Sequence, residues 1–428
     1  MTARPAAMKK RHVAAVFVGN GLEFYDFLTF SYFSVYIGRT FFPSDDPTVS
    51  LLASLATFGI GFVTRPIGAI VIGGLGDRIG RKPTMMFSFL LMGAAIIGLI
   101  LTPSYAQIGI AAPIIVVLLR LIQGFALGGE VGPTTAYMAE AAPPHRRGVY
   151  LSMQYATQDS AALIAGIISV IIANHLSDAQ LTDWGWRVAM SFGALIIPFG
   201  LWARSSMPET LPVADDAALA PDATRGTLKF RERYGKHARI IVLGLVMLTA
   251  GTIGAYSISY MTTYALDTLK LSAAVAFGVP IINGGFSMLS EIWSGFLSDK
   301  YGRKPVMIVP GILLALAIFP CFWAINHFHN AWALYGAESI MVILAGVSSV
   351  PVIVMLTESL PPSIRSGAVA TVYAFAISIF GGTTQFTIKG LITLTGDPMA
   401  PAYYWTGAMI LGLIAMAFTI ESAPGKRH

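Results

Sequence analysis

The chain has 428 residues, 55% of them hydrophobic and only 12% charged, with a mean hydropathy of +0.68. An ordinary soluble domain carries roughly a quarter charged residues, so this composition excludes a cytosolic enzyme and indicates a multispanning helical membrane protein. The 28 basic and 22 acidic residues leave a net charge of +6, and the single cysteine, Cys321, excludes an intrachain disulfide and a cysteine metal site.

The amino terminus carries Arg4, Lys9, Lys10 and Arg11 and then enters an apolar run that already contains Glu23 and Asp26. No small-residue cleavage site follows a clean apolar core, so this run is expected to be an uncleaved first span. Apolar stretches long enough to cross a hydrocarbon layer recur twelve times: 12–38, 50–75, 84–103, 107–140, 146–174, 185–204, 237–265, 272–299, 304–325, 331–359, 364–393 and 399–420. On that register 22 of the basic residues fall on the side of the two termini. Only Arg39 and Lys270 fall on the other side, and Arg65, Arg120, Arg187 and Lys389 lie within or beside spans. The positive-inside rule therefore places both termini in the cytoplasm, and the net charge reports topology rather than nucleic-acid binding.

The polar, proline-containing loop 205–236 divides the chain into 1–204 and 237–428, each with six spans. These halves are related. GGLGDRIGRKP at 73–83 and GFLSDKYGRKP at 295–305 agree at seven of eleven positions, at an offset of 222. Glu140-Ala-Ala-Pro-Pro is echoed by Glu358-Ser-Leu-Pro-Pro at an offset of 218. Both echoes fall after even-numbered spans, as expected of a duplicated six-helix unit. The predicted fold is an all-α membrane protein of twelve transmembrane helices in two pseudo-symmetric six-helix bundles.

Ionisable groups at membrane depth are functional candidates because each is costly unless paired or hydrated. Six carboxylates qualify: Glu23, Asp26, Glu130, Asp159, Glu291 and Glu338. Counted at 1.5 Å per residue from Arg11, Glu23 lies about 18 Å and Asp26 about 22 Å into the first span, on one helical face. Two carboxylates that close repel when both are ionised, so one is expected to hold an exchangeable proton, unless it pairs with a neighbouring arginine. Arg65 and Arg120 reach mid-membrane, where a guanidinium fork suits a substrate carboxylate or an internal ion pair with Asp26 or Glu130. Glu130, about 15 Å below Arg120, fits an inner gate. Asp159, with Gln154 and Gln158, makes the fifth span polar over one turn, as a cavity wall or as an interhelix hydrogen-bond cluster. Tyr32, Asn283, Tyr373 and Gln385 are expected donors to a central cavity, and Lys389 either joins them or reaches back to the outer surface. His327 and His329, one residue apart in an outer loop, carry no metal expectation, and no G-x-x-x-x-G-K-S/T nucleotide motif occurs.

The repeated loop resembles the signature of the major facilitator superfamily, G-x-L-x-D-R-x-G-R-K, which Gly73, Leu75, Asp77, Arg78, Gly80, Arg81 and Lys82 fit in full. Its second copy fits at Gly295, Leu297, Asp299, Gly302, Arg303 and Lys304. GNGLEFYDF at 19–27, RPIGA at 65–69, RLIQGFALGGE at 120–130, WGWRV at 184–188 and LTESLPPSIRSGA at 356–368 narrow the likeness, as do IFGGTTQF at 379–386 and LTGD at 394–397. Together they are similar to the metabolite:proton symporter family, its citrate and tricarballylate branch above all, from which Lys389 and Glu291 depart. The resemblance implies a monomeric, cofactor-free symporter in a bacterial inner membrane, importing a tricarboxylate or related organic anion with protons by alternating access. Symport of a betaine, shikimate or 2-oxoglutarate, or a transport-dead sensor, are the alternatives. The resemblance also implies gating contacts, in which Asp77 and Arg81 meet partners near Glu140 and Arg365, with Asp299, Arg303 and Glu358 as the symmetry copy. Arg120, Arg65, Tyr32, Gln154, Gln158, Asn283, Gln385 and Lys389 are the expected substrate groups, and Asp26, Glu23 and Glu130 the proton-coupling ones.

Overall fold

The computed structural model describes residues 21, 24–79, 81–128, 142–194, 197–198, 235, 237–424 and 426. Among them eight helices are long and apolar enough to cross a membrane. With the two shorter apolar helices and the described parts of the first and sixth segments, twelve segments follow the expected order. The first bundle holds α1 (24–41, broken at Phe33), α2 (Pro47–Ile60 and Arg65–Ile79), α3 (Arg81–Leu101), α4 (Ala111–Leu127), α5 (Arg147–His175) and α6 (Trp186–Ala194). The second holds α7 (Ala238–Asp267), α8 (Ala273–Tyr301), α9 (Arg303–Phe328), α10 (Ala331–Ser359), α11 (Pro362–Ala376, a wide π turn Ile377–Gly381, then Gly382–Thr395) and α12 (Ala400–Ala417). Residues 205–234 of the expected linker lie outside the described residues, as do Glu23, Glu130, Glu140 and the side chains of Asp77 and Arg81.

Local chemistry sets several boundaries. Asp46 accepts the Thr48 N–H at 2.8 Å ahead of Pro47, so α2 starts with a side-chain cap and a residue that has no donor to lose. Asn330 caps α10 in the same way through the Ala333 N–H at 2.9 Å. The break in α2 falls over 61–64, just before Pro66, which has no N–H to bond back to the Phe62 carbonyl. Between α8 and α9, Gly302 takes φ +108°, a conformation that a side chain resists.

Packing inside the first bundle depends on small residues. Gly124 and Gly128 of α4, four apart, lie against the main chain of α2; a Cβ at Gly124 would fall 1.6 Å from the Gly61 carbonyl oxygen. This close approach brings Arg65 and Arg120 to one region. The bundles meet through α5 against α8 and α2 against α11. A Cβ on Gly59 would stand 2.1 Å from the Gly382 oxygen, and one on Gly148 2.6 Å from the Gly295 oxygen. Outward-facing Ile70, Leu316 and Leu394 form an apolar shell suited to lipid, with Trp332 and Phe418 exposed at helix ends.

Candidate functional site

A cavity of about 220 Å³ lies between the bundles. Of the substrate groups expected from sequence, Arg65, Tyr32, Gln158 and Asn283 line it. Tyr373, an expected cavity donor, and Asp159, one reading of which was a cavity wall, share that lining, and Phe27, Tyr155, Tyr256 and Glu291 add aromatic and acidic groups that the sequence did not place there. Arg65 is the one cation among the described lining residues. Its guanidinium lies 4.1 Å from the Phe62 ring centre and 5.0 Å from that of Phe27, two faces that orient it.

Arg120 does not line the cavity. It is 2% exposed, inside the first bundle, and donates to the Gln123 side-chain oxygen at 2.8 Å. The Gln123 amide in turn donates to Asp26 at 3.0 Å, while Phe30 lies 4.3 Å from the guanidinium. The internal pairing that competed with substrate anchoring is therefore the observed arrangement, with a glutamine interposed. A span drawn from hydropathy gives depth along the helix, not which face meets the cavity, and Gln123 shares its face with Arg120 at i,i+3. Asp26 keeps one carboxylate oxygen, Oδ1, without a hydrogen-bond partner in this buried cluster.

Two other expected donors are used elsewhere. Gln385 exchanges hydrogen bonds of 2.8 and 3.1 Å with the Ser31 hydroxyl, tying α11 to α1. The Ser34 hydroxyl meets that of Thr263 at 3.0 Å, a further tie from α1 to α7. Lys389 donates to Asp267 at 2.6 Å within the second bundle, outside the cavity lining. Gln154, buried on α5, is also absent from that lining.

At the end of the molecule bearing the repeated loops, Asp299 accepts the Gly148 and Val149 N–H groups at 3.0 and 3.1 Å. These are unsatisfied donors in the first turn of α5, in the opposite bundle, where a carboxylate also meets the positive end of the helix. Arg303, fully buried, grips Glu358 through Nε and a terminal nitrogen at 3.2 and 3.1 Å. Its other terminal nitrogen donates to Asp299 at 2.6 Å and Ser298 at 2.9 Å. Arg147 of α5 approaches Glu358 at 3.8 Å. Sequence reading missed Glu421, which accepts the Arg303 and Lys304 N–H groups at 2.9 Å each and so caps α9 from the carboxyl-terminal tail. A Cβ on Gly302 would lie 2.8 Å from that carboxylate, a second reason for glycine there.

Among the described residues, contacts between the bundles thus lie at the repeated-loop end as well as beside α1 and α11. Residues 16–383 match the model of the Major Facilitator Superfamily. The chain belongs to this superfamily. It is 33% identical to the citrate-proton symporter of Klebsiella pneumoniae over 94% of this chain and 89% of that protein. Over 90% of this chain and 88% of the relative it is 32% identical to the alpha-ketoglutarate permease of Escherichia coli (strain K12). A putative proline/betaine transporter of Staphylococcus aureus (strain COL) is 30% identical over 98% and 90% of the two chains. The crystal structure of a D-xylose-proton symporter superposes with a TM-score of 0.78 at 19% identity, covering 98% of this chain and 99% of the other, a likeness of fold.

Proposed function

We propose that the chain is a proton-coupled symporter that carries an organic anion of the citrate or 2-oxoglutarate type through the cavity between its bundles. The observation that carries this reading is Arg65: the one cation among the described residues that line the cavity, set among the hydroxyl and amide groups of Tyr32, Gln158, Asn283, Tyr256 and Tyr373. Asp26, buried behind it and linked through Gln123 to Arg120, is the proton carrier, since an arginine holds its proton throughout. Each co-transported charge draws on a membrane potential worth about 2.3 kcal/mol per 100 mV. The chain acts as a monomer in a bacterial inner membrane, with both termini, the 205–236 loop and both repeated loops on the cytoplasmic side. Asp77, Arg81 and Glu140 complete the inner gate with Asp299, Arg303 and Glu358, and Glu23 and Glu130 assist the proton path.

A second reading is favoured by the aromatic wall and its carboxyls, which also suit a quaternary ammonium zwitterion. Proteoliposomes with an inward acid gradient separate the two. Radiolabelled citrate is expected to accumulate, to be displaced by 2-oxoglutarate and to be lost on adding a protonophore. Accumulation of betaine in place of citrate overturns the anion reading.

A further inference from the structure

We propose that Asp159 and Glu291 form a second proton site, a carboxyl pair shared between the bundles that takes up a proton as an anion enters the cavity. The proposal rests on the anion-symport reading and adds to it the group that sets proton stoichiometry.

The pair is placed by backbone packing. Asp159 lies about 18 Å along α5 from Arg147, and Glu291 about 15 Å along α8 from Tyr301, so antiparallel helices of different bundles bring them to the same depth. Their approach is close because α8 offers Gly284, where a Cβ would fall 2.3 Å from the Leu163 nitrogen and 2.5 Å from the Asp159 carbonyl oxygen. On the other flank Gly346 of α10 leaves room for Ser290 and Glu291. Both carboxyls line the cavity and lie within hydrogen-bonding reach of each other. Glu291 is 7% exposed, and its Oε2 has no hydrogen-bond partner. No arginine or lysine among the described residues forms a salt bridge with either.

Hydroxyls and one cation share the cavity lining with the pair. Tyr32 of α1, Tyr155 of α5 and Tyr373 of α11 line the cavity with them, and Glu338 of α10 lies buried outside that lining. Tyr256 of α7 and Arg65 of α2 complete this part of the lining. Two carboxyl groups bond to each other only when one oxygen carries a proton. With one proton the pair is a monoanion, which cancels Arg65 and repels a carboxylate ligand. A second proton makes the pair neutral and frees the Arg65 field for the anion. The only bond formed is an O–H, its proton drawn from water on the loading side and returned when the anion leaves. By linkage, the proton raises anion affinity as much as the anion raises proton affinity.

Two measurements on the full-length purified protein test this. Infrared difference spectra across a pH titration are expected to show a protonated-carboxyl C=O stretch at neutral pH, lost in both Glu291→Gln and Asp159→Asn. Proton uptake on citrate binding, followed with an indicator dye in weakly buffered solution, is expected to fall by about one proton per citrate in either variant. The exchanged variant Asp159→Glu/Glu291→Asp keeps a carboxyl on each side and is expected to keep both signals, which a purely structural pair does not require. Equal proton uptake in wild type and Glu291→Gln, or no carboxyl band in wild type, overturns the proposal. If citrate does not bind to wild type, the anion reading fails, while the infrared arm, which needs no anion, still decides the pair.

Discussion

Replacing Asp299 with asparagine separates gating from folding at the repeated loop. The carboxylate accepts two N–H groups from the first turn of α5 and one contact from Arg303. The Arg303 contact lies within the second bundle, so separating the bundles does not break it and it cancels in the balance between states. The bonds to Gly148 and Val149 cross between bundles and exist only when this end is closed. Asparagine keeps one neutral acceptor and loses one charge-assisted bond, the extra strength of the other and the attraction to the helix terminus, together about 2 kcal/mol. That energy shifts a two-state equilibrium roughly 30-fold toward opening at this end. A cysteine placed at Ser152, fully buried beside Gly295, reports the opening by its maleimide labelling rate in a Cys321→Ala background. Labelling is expected to accelerate by about an order of magnitude or more, with a small change in thermal unfolding. Unchanged labelling with earlier unfolding refutes the gating argument and leaves Asp299 as a folding element.

Asp26→Asn is expected to reduce gradient-driven citrate accumulation at least about tenfold while lowering citrate exchange much less, because exchange needs no net proton release; equal losses in both assays exclude Asp26 as the carrier. Lys389→Met strips Asp267 of its 2.6 Å partner but leaves Lys270 at 3.7 Å, so a stability loss of about 1–3 kcal/mol is expected in thermal unfolding, and a change in citrate affinity of similar size contradicts its placement outside the cavity. Burial pushes the Glu421 carboxyl up, but the N–H groups of Ala423, Arg303 and Lys304 outweigh it and hold the group below its ordinary 4.5. Its folded-state pKa being depressed, the stabilisation is complete above that ordinary value and fades as pH falls below it. Glu421→Gln should therefore flatten the acid limb of the stability curve, and an unaltered acid limb shows that the tail does not secure α9.

The spans were legible because a bilayer imposes one requirement, some twenty apolar residues without a break, and the observed Arg147–His175 and Ala331–Ser359 differ from the expected 146–174 and 331–359 by a residue at most. The duplicated loop was legible because Gly302, Asp299 and Arg303 each meet a separate local demand: a positive φ, a helix terminus and a carboxylate. Azimuth was not legible. All-round apolar helices give little periodicity, so nothing in the sequence distinguished Arg65, which faces the cavity, from Arg120, which faces Asp26 through Gln123. Partnership across long separations was equally hidden. Lys389 meets Asp267 over 122 residues and Gln385 meets Ser31 over 354, and only the packing of α7, α1 and α11 makes them neighbours.

Where α2 faces α11 and α5 faces α8, main chain meets main chain at Gly59 on Gly382 and at Gly148 on Gly295. Sliding contacts made of side chains must reset rotamers at each stroke, and freezing a long side chain costs up to about 2 kcal/mol. Bare backbone has no rotamers to reset. At these two points the bundles can part and close with no rotamer to reset, and a methyl group added there acts as a brake rather than as a lost contact.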